Sequence, residues 1–221
     1  MFDLKMVTQK RGEIEAIQRR FKNNLSDREI KKMTKEAINY TMKSAISNKS
    51  MGINASVKNE YNIKQKSLKG NSIIKPYAKD TALYAKIQLN KNPINIIAFN
   101  PKASKSGVAV SIKRGLSAVL PHAFIATMPS GHRGVYGRGR YVGNKWVHAI
   151  DLPKGSGKGK RYTSSTTGRK REAITELNTA SIFTMGLSDK VAPQINNYIG
   201  TTVLTTLEQK LQRLVAAAAK G

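Results

Sequence analysis

Three histidines carry most of the chain's capacity for acid–base or metal chemistry: His122, His132 and His148. Their spacing does not match that of zinc ligands, and no cluster of carboxylates lies near them in the sequence. A nuclease could use His132 together with Arg133, but metal-dependent nucleases need carboxylates that this region lacks. We therefore expect no catalysis, no metal site and no cofactor.

Two glycine-rich stretches could contact phosphates. Residues 155–160 alternate glycine with lysine or serine, but they do not fit the G-x-x-x-x-G-K-[ST] pattern, and no buried strand leads into them. They therefore do not indicate a nucleotide-binding loop. Residues 134–140 place two arginines among glycines, which suits either phosphate contact or an ordinary exposed hairpin tip. Both interpretations stay open.

Charge is the strongest feature of the composition. Lysine and arginine total 39 against 13 acidic residues, a net charge of +26. Such an excess repels itself, so an anionic partner is expected: nucleic acid, an acidic protein or an anionic membrane surface. Between Asp80 and Asp151 there are ten basic residues and no acidic one. The expected contacts to DNA or to an acidic partner lie between Gly131 and Arg171, and they are Arg133, Arg138, Arg140, Lys145, Lys154, Lys158, Lys160, Arg161, Arg169, Lys170 and Arg171.

Aromatic residues are interspersed in the same basic region: Tyr136, Tyr141, Trp146 and Tyr162. They could stack on single-stranded bases, or they could anchor a long loop to the sheet, which is the interpretation we favour. Base-reading motifs of the RNP and zinc-finger types are absent. The charge thus predicts phosphate contact without direct readout of sequence.

Hydrophobic spacing predicts helices at both ends of the chain. Glu13–Lys22 is a short amphipathic helix. The segment Ser26-Asp27-Arg28-Glu29 has the form of a capping box, so a helix should follow and end near Asn48. A shorter helix is expected over Asn62–Lys69. A long helix from about Asp189 to Ala219, with Ser188 as its cap, carries an apolar stripe formed by Ile195, Ile199, Val203, Leu207, Leu211 and Leu214. This stripe suits packing within the chain or between copies.

The middle of the chain has the pattern of antiparallel strands. Strands are expected over Ala82–Leu89, Ile94–Phe99, Gly107–Lys113 and Ala123–Met128. The predicted class is α+β: N-terminal helices, a central antiparallel β-sheet with a long basic loop, and a long C-terminal helix. We expect one domain over residues 1–221, with a helical region at 1–75, a β-rich core at 80–150, a basic glycine-rich loop at 137–171 and the C-terminal helix at 188–219. Within this loop, residues 153–161 have almost nothing to bury and are expected to be flexible.

The composition also limits the cellular setting. The chain has no cysteine, so disulfides and thiolate metal sites are excluded. No apolar stretch approaches the roughly 20 residues needed to cross a bilayer. The first eleven residues carry charges where a signal peptide would be apolar. We therefore expect a soluble protein that is made in a cytoplasm and has no membrane partner.

The segment from Ala123 to Tyr136, A-F-I-A-T-M-P-S-G-H-R-G-V-Y, resembles the signature of the phage minor tail protein Z family. In that family an A-F-I-A-like strand leads into a G-H-x-G-V-[FY] turn and a basic stretch. The matching positions here are Ala123, Phe124, Ile125, Gly131, His132, Gly134 and Val135. The order of the predicted elements is also similar along most of the chain. The sequence departs from the family at Thr179-Ala180, where Gly-Pro is usual, and its basic loop is longer.

The resemblance implies a structural virion protein that completes the tail at the head–tail junction, or neck. It implies contacts with the tail terminator, tube or connector, a homo-oligomeric ring that sixfold tail symmetry would make a hexamer, and double-stranded DNA in the lumen. The protein would be found in the virion, and in the host cytoplasm during assembly. The alternative is a free nucleic-acid-binding protein without catalysis. A third use of the charge is contact with protein alone, in which case DNA affinity would be incidental.

Overall fold

The structure is a computed structural model that describes residues 10–47, 50–142, 145–148, 161–163, 170–172 and 174–219. The chain folds into two compact units. The first comprises Met1–Glu60, Leu68–Lys91 and Ile182–Gly221, and the second comprises Tyr61–Ser67 and Asn92–Ser181. The single Z-like domain expected over residues 1–221 stays a prediction.

The first unit contains the α-helices of the described residues. They are α1 (Arg11–Phe21), α2 (Asp27–Ser47), α3 (Ile53–Glu60), α4 (Ile182–Gly186) and α5 (Val191–Ala218). Helices α1, α2 and α5 confirm the predicted ones to within a few residues. Helix α3 was not predicted. The helix expected over Asn62–Lys69 is only a short 3₁₀ helix at Gln65–Leu68, so that prediction is wrong in type and length.

The start of α2 is the predicted capping box. The Glu29 carboxylate accepts hydrogen bonds from the backbone amide of Ser26 at 2.9 Å and from its hydroxyl at 2.6 Å. In return the Glu29 amide donates to the Ser26 hydroxyl at 3.4 Å. Amides that the first turn would leave unpaired are thus satisfied. These hydrogen bonds lower the pKa of the Glu29 carboxyl, chiefly through the Ser26 hydroxyl.

Helix α5 buries its apolar stripe inside the first unit. Ile195, Ile199, Val203, Leu207 and Leu211 are buried, whereas Leu214 is half-buried. The helix packs mainly on α2, where the hydroxyls of Ser44 and Tyr198 are 2.6 Å apart. The stripe therefore packs within the chain, which decides between the two uses considered for it.

The predicted cap of this last helix is wrong. The Ser188 side chain does not cap the helix: its buried hydroxyl has no hydrogen-bond partner among the described residues. Its carbonyl instead accepts from the amides of Val191 and Ala192, at 3.0 and 2.9 Å. Pro193 lies in the first turn of α5, where its missing amide costs no helical hydrogen bond.

A short hairpin completes the described part of the first unit. Strand β1 (Ser72–Ile74) pairs antiparallel with β2 (Ile87–Leu89). The strand predicted over Ala82–Leu89 thus enters a ladder only in its last three residues. Among the described residues, no helix is both long enough and apolar enough to cross a membrane.

The second unit is built from antiparallel strands. They are β3 (Pro93–Asn95), β4 (Lys102–Ser104), β5 (Gly107–Val110), β6 (Ala118–Leu120), β7 (Ala123–Thr127), β8 (Arg133–Gly137), β9 (Gly139–Val142), β10 (Lys145–His148), β11 (Arg161–Thr163), β12 (Lys170–Glu172), β13 (Thr175–Glu176) and β14 (Asn178–Ser181). Two sheets have the orders β4-β5-β6 and β7-β8-β13, and pairs form between β3 and β14, β9 and β10, and β11 and β12. The α+β class with antiparallel sheets and a long C-terminal helix is confirmed.

Two predictions for the second unit need correction. The strand expected over Ile94–Phe99 ends at Asn95, and Ile96–Phe99 is a 3₁₀ helix that buries Ile96, Ala98 and Phe99. A short apolar run fits a buried strand or a buried helical turn equally well. The basic stretch at 137–171 is not a continuous loop, because β9 and β10 form a hairpin within it. Residues 149–160 and 164–169 lie outside the described residues.

Candidate functional site

The family-like segment folds into the β7–β8 hairpin, which we call the motif hairpin. Its register pairs Ala123 with Gly137 and Thr127 with Arg133. The amide of Met128 donates to the carbonyl of His132 at 2.8 Å, and the amide of Gly131 donates to the carbonyl of Met128 at 2.8 Å. Gly131 has φ +81°, a left-handed conformation that glycine adopts without strain. The turn therefore explains the glycine at this motif position.

A glutamate from elsewhere in the chain completes the hairpin. Strand β13 pairs with the free edge of β8 and places Glu176 opposite Tyr136. The Glu176 Oε1 atom accepts a hydrogen bond from His132 Nε2 at 2.8 Å and another from Asn95 Nδ2 at 2.8 Å. We call Glu176, His132, Asn95, Tyr136 and Gly134 the Glu176 cluster. It connects the turn of the motif hairpin to β13 and to the end of β3.

Because Gly134 has no side chain, Glu176 and Tyr136 can occupy the space beside it. A β-carbon at that position would lie 2.6 Å from Glu176 Oε1 and 2.9 Å from the phenol oxygen of Tyr136. Real β-carbons do not approach other atoms so closely. A side chain at residue 134 would therefore displace the glutamate, the tyrosine ring or the strand. This steric relationship gives a physical reason for the second glycine of the motif.

Tyr136 is buried within the cluster. Its side chain is 5% exposed, and its hydroxyl has no hydrogen-bond partner among the described residues. Burial raises the pKa of the Tyr136 phenol, and the negative charge of Glu176 adds to the shift. Tyr136 is thus an anchoring residue and cannot stack on bases. The side chains of Tyr141, Trp146 and Tyr162 are outside the part of the structure that is described.

The apolar motif residues form the base of the hairpin. Val135 and Ala123 are buried, while Phe124 and Ile125 are half-buried. The Phe124 ring lies 6.2 Å from the Tyr136 ring, centroid to centroid, on the same face of the hairpin. All the predicted motif positions are thus brought together in one substructure.

The contact between Glu176 and His132 was not predicted from the sequence, and it changes the surroundings of the histidine. No carboxylate was expected near the histidines, yet Glu176 lies 2.8 Å from His132 although 44 residues separate them. The pair is partly accessible, with side-chain exposures of 50% for His132 and 26% for Glu176. Its hydrogen bond joins the turn of the motif hairpin to β13. No group of three or more histidines or carboxylates that could hold a metal occurs in the described part of the chain.

The predicted basic contacts fall into three groups. Arg133, Arg138 and Lys145 are exposed, and the Arg138 guanidinium lies 5.9 Å from the centre of the Phe124 ring. For Arg140, Arg161, Lys170 and Arg171 the structure describes strand pairing but not the side chains. Lys154, Lys158, Lys160 and Arg169 lie outside the described residues. Arg133 and Arg138 thus flank β8 at the two ends of the motif hairpin.

The charge of the second unit is strongly one-sided. Its segments contain 17 lysines and arginines and only three acidic residues, Asp151, Glu172 and Glu176. The one described carboxylate side chain among these three, that of Glu176, is already engaged by His132 and Asn95. The exposed cations of this unit therefore have few internal counter-charges, which favours contact with an anionic partner.

Comparison of the chain with protein-family models, with curated proteins and with solved structures gives no match. The likeness to the minor tail protein Z family therefore rests on the residues of the motif hairpin and on the order of the elements.

Proposed function

We propose that this chain is a structural virion protein of a tailed bacteriophage that completes the tail at the head–tail junction. In this role it contacts the tail terminator, tube or connector and assembles as a homo-oligomeric ring, with six copies if it follows the tail symmetry. It has no catalytic task and needs no cofactor. It resides in the virion, after assembly in the host cytoplasm.

The observation that carries this proposal is the interdependence of the motif residues. Gly131 makes the turn, His132 bonds to Glu176, and Gly134 leaves room for Glu176 and Tyr136. Each specified position of the G-H-x-G-V-[FY] pattern thus has a physical role in one substructure. A chance match of letters would not be expected to have this property, which supports the likeness to the Z family.

The charge of the second unit supports a partner rich in negative charge. In a neck, the two available partners are the DNA in the lumen and acidic surfaces of neighbouring rings. Among the predicted contact residues, Arg133 and Arg138 at the ends of the motif hairpin and Lys145 in β10 have exposed side chains that are available for such contact. Contact through phosphates would be independent of base sequence, as a DNA conduit requires.

A gene disruption in a phage or induced prophage that encodes this chain tests the proposal. A stop codon early in the gene should give filled heads and tails that fail to join, as counted by negative-stain electron microscopy. Wild-type protein supplied from a plasmid should restore joined particles. Infectious, joined particles that lack the chain would contradict the structural role. Recovery of the chain on nucleic acid in the lysate, and not in particles, would favour the free nucleic-acid-binding protein instead.

A further inference from the structure

The second unit contains an open cleft of about 470 Å³ that shares no residue with the Glu176 cluster. This volume lies within the range of about 300–1,000 Å³ that is typical of sites for small ligands. The apolar floor of the cleft includes Ile63, Phe99 and Val110, all at most 4% exposed. Around this floor stand polar and cationic side chains. They are Asn62, Asn100, Lys102, Ser111, Arg114 and Ser117.

Backbone hydrogen bonds fix the walls of the cleft. On one side, β4 and β5 pair so that Lys102 lies opposite Ala109. On the other, the Asn62 amide donates to the Ile112 carbonyl at 2.9 Å, and its side chain donates to the Ser111 hydroxyl at 2.8 Å. The 3₁₀ helix that carries Phe99 ends at that residue, and Asn100, which follows it, has a left-handed conformation. The cleft is therefore preformed by the fold.

The electrostatics of the cleft favour an anion. Among the described residues, Lys102 and Arg114 line the cleft and no carboxylate does. The Lys102 ammonium is exposed and has no hydrogen-bond or ion-pair partner among the described residues. The exposed side chains of Asn100 and Ser117 supply further donors that suit phosphate oxygens, whereas the Ser111 hydroxyl already donates to the Lys113 carbonyl at 3.0 Å. An apolar floor beside these donors suits the organic part of a phosphate ester better than it suits an inorganic ion.

We infer that this cleft binds a phosphate ester, namely one nucleotide unit of a nucleic-acid strand. The phosphate lies at Lys102 and Arg114, and the sugar or base lies against the floor formed by Ile63, Phe99 and Val110. Only the choice of a nucleic-acid strand as the source of the ligand rests on the proposed function. A free mononucleotide shares the same chemistry, so the test separates the two sources.

The test uses the full chain and a short, fluorescently labelled oligothymidylate at fixed ionic strength. Lys102→Glu should weaken binding by about tenfold or more, since it places a carboxylate beside the phosphate. The matched control is Lys105→Glu, which makes the same charge change on an exposed residue at the tip of the same β4–β5 hairpin but outside the cleft. Equal weakening by both variants would overturn the inference while leaving general DNA contact intact. Circular dichroism confirms folding, and Lys102→Gln repeats the test without a new charge.

A second readout distinguishes strand from free nucleotide. In amide NMR spectra, the oligonucleotide should shift signals of Asn62, Ser111 and Ser117 in the wild type and not in Lys102→Glu. Deoxythymidine monophosphate should shift the same signals at much higher concentration. If the monophosphate bound as tightly as the oligonucleotide, the strand would be the wrong source. If neither ligand shifted them, the site itself would be refuted. Neither result depends on whether the chain occurs in virions, so failure here is separable from failure of the proposed function.

Discussion

The carboxylate of Glu176 lies too close to Gly134 for residue 134 to carry a side chain. A β-carbon at residue 134 would be 2.6 Å from Glu176 Oε1 and 2.9 Å from the ring carbon that bears the Tyr136 hydroxyl. Glu176 can move away only by giving up its hydrogen bonds to His132 and Asn95. The Tyr136 ring is buried and has little room to turn. The position of Glu176 on β13 therefore restricts which residue the motif hairpin can carry at position 134.

Replacing Gly134 with alanine should destabilise the protein. We expect Gly134→Ala to lower the free energy of unfolding by about 1–3 kcal/mol, because it overpacks a closely packed site. Urea denaturation measures this change. The matched control is Gly12→Ala in the exposed part of α1, where an added β-carbon meets nothing within 4 Å. That substitution should be neutral or stabilising by up to about 1 kcal/mol. Equal effects of the two substitutions would contradict the steric argument.

Replacing Tyr136 with phenylalanine should not harm stability. The phenol oxygen is buried without a hydrogen-bond partner among the described residues, so removing it takes away a desolvated polar group. We expect Tyr136→Phe to raise the free energy of unfolding by about 1 kcal/mol at neutral pH. A large loss of stability in urea denaturation would mean that the hydroxyl has a bonding role.

The same residue should make stability depend on alkaline pH. The folded-state pKa of Tyr136 is raised by burial and then by Glu176, so the folded protein holds the phenol proton longer than the unfolded chain does. Its contribution is fully present below the ordinary tyrosine pKa of about 10 and is lost as the pH rises through the raised value. Tyr136→Phe should therefore lose less stability above roughly pH 10 than the wild type does. Parallel alkaline losses in thermal denaturation would contradict this account.

The capping box of α2 should contribute measurably to stability. Ser26→Ala removes the hydroxyl that bonds to the Glu29 carboxylate and amide, and it should cost about 1 kcal/mol. Ser47→Ala, at the other end of the same helix, is the control and should change stability by less than about 0.5 kcal/mol.

The capping box should also make stability depend on acidic pH. The pKa of the Glu29 carboxyl is lowered in the folded state, so its contribution to stability is present above the ordinary pKa and is lost as the pH falls. The effect of Ser26→Ala should therefore shrink below roughly pH 4, which thermal denaturation in acid can test.

The exposed arginines of the motif hairpin should set the salt dependence of DNA binding. If Arg133 and Arg138 both contact phosphates, replacing both with glutamine should reduce the slope of log affinity against log salt by about two. Fluorescence anisotropy with duplex DNA over a series of salt concentrations measures the slope. Arg28→Gln with Lys31→Gln removes the same charge from the exposed face of α2 and should change the slope much less. Indistinguishable slopes for the two double variants would assign the binding to net charge alone.

Features whose signals lie within a few residues could be predicted from the sequence. The capping box at Ser26 and Glu29, the apolar stripe of α5 and strand β7 all follow from local spacing, and the structure confirms them. Arg133 and Arg138 were predicted as contact residues from residue type alone, because charge can be read directly from the sequence. The structure shows that both side chains are exposed. The class α+β follows from the same local patterns.

Features that depend on distant pairing could not be predicted. Glu176 joins His132 across 44 residues and Asn95 across 81, and no local spacing indicates either contact. The run Ile96–Phe99 forms a 3₁₀ helix, because a short apolar segment carries no period that separates a strand from a helical turn. The cleft around Lys102 likewise joins residues 62 and 117, whose proximity only the fold establishes.

The most direct test of the central claim is cryo-electron microscopy of particles from a phage that encodes this chain. The account predicts density for the chain in a symmetric ring between head and tail, with Arg133 and Arg138 facing the DNA lumen or an acidic neighbouring ring. Particles of full infectivity with no density for the chain at the neck would contradict it.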